Sequence, residues 1–294
     1  MDHKSFLKAL SDEEKAALTE TEDAAGLWHL AGHLGLILAC GALIAAKVPL
    51  WWVLLPVQGV LMVFLFTLEH ECTHKTPFRA PALSDWVGRL CGMVLLLPFE
   101  WFRYFHLAHH RHTNIPGLDP ELASEKPETV TQWVWHVSGL PYWAAGVRLM
   151  AALVMGRTEG EYLPQSARSR IVREARVMAL IYLALALTLI WSPMLLWVWI
   201  VPVLVGQPAL RLYLLAEHGD CPRVTDMFEN TRTTFTNRIV RFLAWNMPYH
   251  AEHHVFPAVP FHKLPALHLK MRDHLKVTAD GYAAFTRDYL DRRM

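Results

Sequence analysis

The sequence predicts an all-α integral membrane protein: four transmembrane helices, interfacial helices beside them, and a histidine-rich cap on the cytosolic side. Three observations support this. Apolar runs of membrane-spanning length alternate with polar stretches, positive charge gathers on one side of those runs, and three histidine clusters stand at that same side. Hydrophobic residues make up 53% of the 294, with 12 Trp and 13 Phe, while charged residues still reach 19%. That mixture suits spans joined to a substantial polar part rather than a soluble globule.

Residues 1–25 form a polar cytosolic segment. It carries Lys4, Glu13, Glu14 and Lys15 and has no apolar core, which argues against a cleavable signal peptide. Ser11 with Glu14 reads as a capping box opening a short surface helix. Residues 27–46 make a first run of about the ~20 residues a helical span needs. Pro49 marks a turn, and residues 50–68 return as the second span. Two stretches predict re-entrant or interfacial helices instead. Residues 87–101 are apolar but short, and 134–155 are interrupted by His136, Pro141 and Arg148. Residues 177–191 form the third span, broken by Ser192-Pro193. Residues 194–215 form the fourth, where neighbouring helices accommodate Pro202 and Pro208. Residues 216–294 make the cap, and no repeat, low-complexity tract or Gly/Ser linker divides the single domain. Trp51, Trp52, Trp197 and Trp199 suit bilayer-interface anchoring. Cys40, Cys72, Cys91 and Cys221 show no pairing pattern, and Cys40 and Cys91 suit buried packing.

Charge then sets orientation. Between the second and third spans stand Lys75, Arg79, Arg89, Arg103, Arg111, Lys126, Arg148, Arg157, Arg168, Arg170, Arg173 and Arg176. The turn between spans three and four carries no Lys or Arg, and that between one and two only Lys47. The positive-inside rule puts the charged side in the cytoplasm, and four spans bring all three histidine clusters to it. A net charge of +1 without a basic run gives no footprint for nucleic acid.

The clusters are His70-Glu71-Cys72-Thr73-His74, His106-Leu107-Ala108-His109-His110 and His250-Ala251-Glu252-His253-His254. With 17 histidines in 294 residues, chance would give the H-x-x-H-H pattern about 0.06 times, yet it occurs twice. Residues three and four apart share a helix face, so His70 with His74, and His106 with His109, can address one metal. His110 lies roughly 100° further round, so one helix can touch two metals. His250, His253 and His254 repeat that geometry, and His218 ends the fourth span at the same membrane face. Nine imidazoles serve two metals with four or five ligands each.

Imidazole alone does not choose among Zn, Cu, Fe and Ni. A structural zinc closes with four ligands and a catalytic one keeps about three, so two histidine-rich sites beside a membrane point to a redox pair, most simply iron activating dioxygen. Ligating imidazoles need an acceptor on the other ring nitrogen, and Glu71, Glu217, Glu252 and Asp119 are the candidates. His112 suits the surroundings of the site rather than the ligand set. His29 and His33 suit packing, and His136, His262, His268 and His274 the surface or an interface.

The chain resembles the membrane fatty acid desaturase superfamily, which also contains acyl hydroxylases and carotenoid ketolases. The resemblance rests on the segments around His70–His74 (beginning Glu69 and continuing Lys75-Thr76-Pro77-Phe78), Phe105 through Thr113, and Trp245-Asn246-Met247-Pro248-Tyr249 leading into the third cluster. Val259-Pro260-Phe261-His262-Lys263-Leu264-Pro265 adds to it. It implies four transmembrane helices, a cytosolic cap, and two irons on nine histidines: His70, His74, His106, His109, His110, His218, His250, His253 and His254. Some animal acyl-CoA members carry an Asn four residues before the extra histidine, holding a water at the iron. Here that position is Leu214. The expected activity is dioxygen-dependent oxidation of an unactivated C–H position in a lipid or acyl substrate, foremost desaturation, with hydroxylation or ketolation of an acyl chain or carotenoid as the alternative. No H-P-G-G motif of a fused b-type cytochrome is present, so the electron donor is expected to be a separate ferredoxin, rubredoxin or cytochrome.

Two rivals remain at sequence level. His70-Glu71-Cys72-Thr73-His74 fits H-E-x-x-H, in which a zinc protease uses the Glu as general base, but this leaves the other clusters without a role. A membrane haem protein would need single histidines inside the spans rather than clusters at their ends.

Overall fold

The computed structural model describes all 294 residues, and the regular structure of the chain is almost wholly helical. The polar N-terminus forms α1 (His3–Ala9) and α2 (Asp12–Thr19). The expected capping box is present: Glu14 N–H donates to Ser11 Oγ (3.1 Å), and Ser11 N–H donates to Glu14 Oε2 (2.9 Å). α1 has no such signature in the sequence. It is held by Phe6, whose buried ring meets Phe228 edge-on.

α3 (Asp23–Ala45) contains the first expected span. Leu50, at φ 60, reverses the chain. α4 (Leu54–Val63) and α5 (Leu65–His74) then return, offset at Phe64. α6 (Pro81–Leu95) and α7 (Phe99–His112) meet at 100°. Leu96 sits at φ 60, Leu97 N–H closes back onto Gly92 O (2.8 Å), and Pro98 has no N–H with which to continue the helix. The 87–101 stretch therefore holds a sharp break, as a broken span or a re-entrant loop would. α8 (Val130–Val137) and α9 (Leu140–Val154) bend by 56° at Gly139, whose φ of +75 favours glycine.

The third expected span lies largely within a longer helix. Residues 177–191 are not a separate helix but mostly the second half of α10 (Gln165–Thr188). Its first half carries Arg168, Arg170, Arg173 and Arg176, and two ion pairs tie it to α6 and α7: Glu174 with Arg89 (3.4 Å) and Arg170 with Glu100 (3.7 Å). Polar anchoring thus replaces part of the apolar length. Asp12–Ala45, Trp51–His74 and Leu196–His218 are long and apolar enough to cross a bilayer, which makes three spans, or up to five if each bent pair counts as one.

α11 (Val201–His218) packs along α4. The two backbones approach at Gly59 and Gly206, where a Cβ on Gly59 would meet the Pro202 carbonyl and come 2.9 Å from Gly206 N. At the far end Trp51 and Trp197 meet edge-on at 5.3 Å. Trp199 departs from the anchoring role, because its Nε1 donates to Val94 O (3.0 Å) between helices. After α11 come α12 (Met227–Asn230), β1 (Thr233–Thr234), α13 (Arg238–Leu243), α14 (His250–Val255), α15 (Leu264–Met271), β2 (Thr278–Ala279) and α16 (Tyr282–Asp291). β1 and β2 pair in parallel, with Thr233 opposite Thr278. Trp245, Phe228, Phe261 and Met271 are buried in this region and continue the core of α5 and α6. α5 ends where α3 begins, since Arg79 N–H donates to Asp23 Oδ1 (2.8 Å).

Candidate metal centre

Four helices aim nine imidazoles at one interior. α5 ends in the first cluster, with His70 and His74 one turn apart and Lys75 at φ 61 terminating the helix. α7 carries His106, His109 and His110 on its last turns, and α11 ends on His218. Six-residue α14 presents His250, His253 and His254.

The rings sort into two groups. The ligand nitrogens of His70, His74, His106, His110 and His253 all lie within 4.8 Å of one another. His74 Nε2 is 2.9 Å from His106 Nε2, and His253 Nε2 is 3.2 Å from His110 Nε2. His109, His218 and His254 form the second group within the same limit. His250 completes it, its Nε2 standing 3.1 Å from the Nε2 atoms of both His218 and His254. His106 and His110, four residues apart, thus fall in one group and His109 in the other, which corrects the expectation that His106 and His109 address one metal.

Such a set fits metal ions and little else. More imidazole nitrogens converge at each focus than can hydrogen-bond one another, and both ring nitrogens of buried His70 have no partner. Burial first, then the neighbouring imidazoles, push His253 and His254 well below the usual histidine range, which keeps their lone pairs free. Neutral imidazole is the donor that divalent first-row metals take.

Three of the Nδ1 atoms, those of His109, His218 and His254, have hydrogen-bond partners. His109 Nδ1 donates to Asp119 (3.0 Å to each oxygen). Burial alone would raise the Asp119 carboxyl; the bond from His109 and the N–H groups of Asn114 and Glu121 bring it below its ordinary value. His250 Nδ1 lies 3.4 Å from Glu217 Oε1, and His253 Nδ1 3.7 Å from Glu71 Oε1. Asp119 thus bonds a cluster histidine, while Glu217 and Glu71 stand near His250 and His253 without a hydrogen bond to them. Glu252 is the exception: it accepts from Thr233 Oγ1 (2.6 Å) and His268 Nδ1 (2.5 Å) and touches no cluster ring. Two residues after His250, it lies roughly 200° round the helix, on the opposite face.

Three partners were missed by sequence reasoning. His218 Nδ1 donates to Asn230 O (3.1 Å), for which the sequence holds no signal. His254 Nδ1 donates to Thr113 Oγ1 (3.1 Å), and that hydroxyl donates to His109 O (2.9 Å), joining the second and third clusters. Thr113 follows His109 by four residues, so helical spacing could have indicated it. Glu121 Oε2, 3.6 Å from His109 Nδ1, was also missed. His112 is half-buried and belongs to neither group. His29 and His33 pack as expected, with His29 Nε2 on Phe242 O (2.7 Å), and His33 between Leu61 O (2.8 Å) and the Trp245 indole (3.2 Å). Glu71 Oε2 accepts from the Thr76 hydroxyl (2.9 Å) and Phe261 N–H (3.1 Å), so its carboxylate is engaged away from the Nε2 focus.

Fold and site together define a helical protein with membrane-spanning segments and two adjoining buried groups of histidines able to hold metal. Residues 49–286 match the family model described as Fatty acid desaturase, and the chain belongs to that family. Among its relatives is an sn-1 oleoyl-lipid 12-desaturase of Picosynechococcus sp., 31% identical over 121 residues, or 38% of this chain and 34% of that protein. An sn-1 oleoyl-lipid 12-desaturase of Arthrospira platensis is 25% identical over 239 residues, 72% of this chain and 67% of that protein. An sn-1 acyl-lipid omega-3 desaturase (ferredoxin) of Synechocystis sp. is 27% identical over 88 residues, 30% of this chain and 24% of that protein. The match thus spans between about a quarter and two thirds of the length of these relatives.

Proposed function

We propose that this chain is a membrane-bound di-iron oxidoreductase that desaturates a lipid-linked acyl chain. The observation that carries the reading is the convergence of nine imidazoles on two foci, five at one and four at the other, at the ends of apolar helices. His70, His74, His106, His110 and His253 would hold one iron, and His109, His218, His250 and His254 the other. Bound there, the pair would supply dioxygen activation able to take hydrogen from an unactivated C–H bond.

The rest is done by the chain itself. Asp119, Asn230 O and Thr113 orient the His109, His218 and His254 rings through their outer nitrogens, and the Glu217 and Glu71 carboxylates stand 3.4 and 3.7 Å from those of His250 and His253. Buried Phe102, stacked on His106 at 5.5 Å, sets apolar surface against the first group. A substrate is held there by apolar contact and enters along the bilayer. Four spans, α3, α4–α5, the apolar half of α10 and α11, would put both foci and the segment from 216 to 294 in the cytoplasm, in one domain. The relatives named desaturases favour alkene over alcohol as product, and the one named with ferredoxin favours a separate soluble electron donor. The zinc-protease alternative asks Glu71 to face a metal, and its bonds to Thr76 and Phe261 do not favour that.

The test is lipid mass spectrometry of membranes from cells with and without the expressed chain. New mono- or polyunsaturated acyl species that require dioxygen are expected. An unchanged lipid profile in cells holding iron-loaded protein would count against acyl desaturation.

A further inference from the structure

α11 runs from the membrane interior to the metal centre, and on the way it carries polar groups without partners. Gln207 is 0% exposed, and neither its amide nitrogen nor its oxygen has a hydrogen-bond partner. One turn on, Arg211 has a buried, unpartnered Nε and no carboxylate within ion-pair distance. Its guanidinium lies 4.7 Å from the ring centre of Tyr142 on α9. The neighbouring Trp143 has an unpartnered indole N–H. Gln207 packs on Gly139, at the α8–α9 break, so both α11 residues face the same short stretch of chain. One turn before Gln207 on α11, Val203 and Leu204 join Trp143, Met93, Leu96 and Tyr182 in lining an entirely apolar slot of about 280 Å³, to whose wall Gln207 and Arg211 do not themselves belong.

Unpartnered buried polar groups cost about 1–3 kcal/mol each, and more where no water can replace the missing bond. Gln207 and Arg211 on α11 and Trp143 on α9 bring three such residues to one part of the molecule, and ionisable groups inside a membrane commonly mark a substrate path. The donors outnumber the acceptors: the Gln207 amide, the Arg211 guanidinium and the Trp143 indole against one Gln207 oxygen. Along α11, Arg211 precedes His218 by roughly 10 Å and Gln207 by roughly 16 Å, at ~1.5 Å per residue.

We infer that the substrate carries an oxygen function at its membrane-buried end, a hydroxyl or carboxyl group, accepted by Gln207, Arg211 and Trp143. The substrate class is then an amphiphile oxygenated at both ends rather than a chain with a plain hydrocarbon tail. The distance to the oxidised carbon rests on the desaturase-type reading above; the binding of the oxygen function does not. The site would work by exclusion as well as attraction, because a methyl end leaves the three groups unpaired. Sites built to hydrogen-bond a substrate hydroxyl reject analogues lacking it by factors on the order of 10⁴.

The experiment uses the full chain as purified, under argon, in phosphatidylcholine nanodiscs. The probes are phosphatidylcholines whose sn-1 hexadecanoyl chain ends in methyl, hydroxyl or carboxyl, since the headgroup prevents reversed insertion. Affinity is read from the ligand-dependent rise of the unfolding midpoint. The hydroxyl- or carboxyl-ended probe is expected to bind at least tenfold more tightly than the methyl-ended one. Gln207→Leu with Arg211→Met should erase that preference, and Trp143→Phe, which keeps the ring and removes one N–H, should reduce it several-fold. Should the double variant not fold, Trp143→Phe alone decides. Equal affinity for all three ends, or a preference that survives the substitutions, overturns the inference. Because binding is read without turnover, a probe that binds but is never oxidised counts against the oxidation reading and not against this one.

Discussion

His109 Nε2 and His218 Nε2 stand 3.2 Å apart, although 109 residues separate them in the chain. One belongs to the second cluster and the other is the isolated histidine ending α11. Replacing His218 by Ala should leave folding and membrane insertion intact, since one side chain among nine is lost, while weakening iron binding in the second group. Activity should fall at least ~10–100-fold, the loss that follows removal of even an outer partner. His112→Ala should keep most of its iron. Iron titration of both variants decides, and full iron in His218→Ala alongside loss in His112→Ala would exchange their roles.

Asp119 gives a finer test. It meets the outer nitrogen of His109 with both oxygens at 3.0 Å. Asp119→Asn keeps the shape and removes the charge that fixes the ring, so one of two iron equivalents should bind about 10–100-fold more weakly. Competitive titration with a chelator should show the other equivalent unchanged. Equal weakening of both would mean Asp119 supports the fold rather than His109.

The clusters were legible because metal binding imposes both residue type and spacing, and helical geometry turns spacing into direction. That reasoning also separated His106 and His109 from His110, though the structure divides the three otherwise, sending His106 and His110 to one group and His109 to the other. Glu252 was misread because proximity in sequence was given more weight than its phase on α14. Asn230 could not be found, since it acts through a backbone carbonyl that any residue supplies. The 100° turn between α6 and α7 left Pro98 as its trace, but the αL state of Leu96 is imposed by tertiary packing. The polar half of α10 was left outside the third span because its arginines lack the apolar run of a membrane helix, and ion pairs anchor it instead.

Packing of α4 on α11 positions His218. A Cβ at Gly59 would press on the Pro202 carbonyl, and one at Gly206 on the backbone of Gly59. Gly59→Val should therefore destabilise by about 1–3 kcal/mol or more and shift α11. A fall in thermal midpoint with loss of iron from the second group before the first is expected. An unchanged midpoint would mean the helices separate without cost.

Sidedness follows from charge. Reporter fusions after Lys47 and after Met294 should report opposite sides of the membrane, with the C-terminus in the cytoplasm. A C-terminus outside would break the four-span arrangement.

The central claim is that two irons sit on nine histidines, and metal analysis tests it most directly. Protein purified from iron-replete cells should carry about two irons per chain with no Soret band, and removing them should abolish dioxygen-dependent oxidation until ferrous iron is restored. Stoichiometric zinc supporting activity, with iron inert, would contradict it.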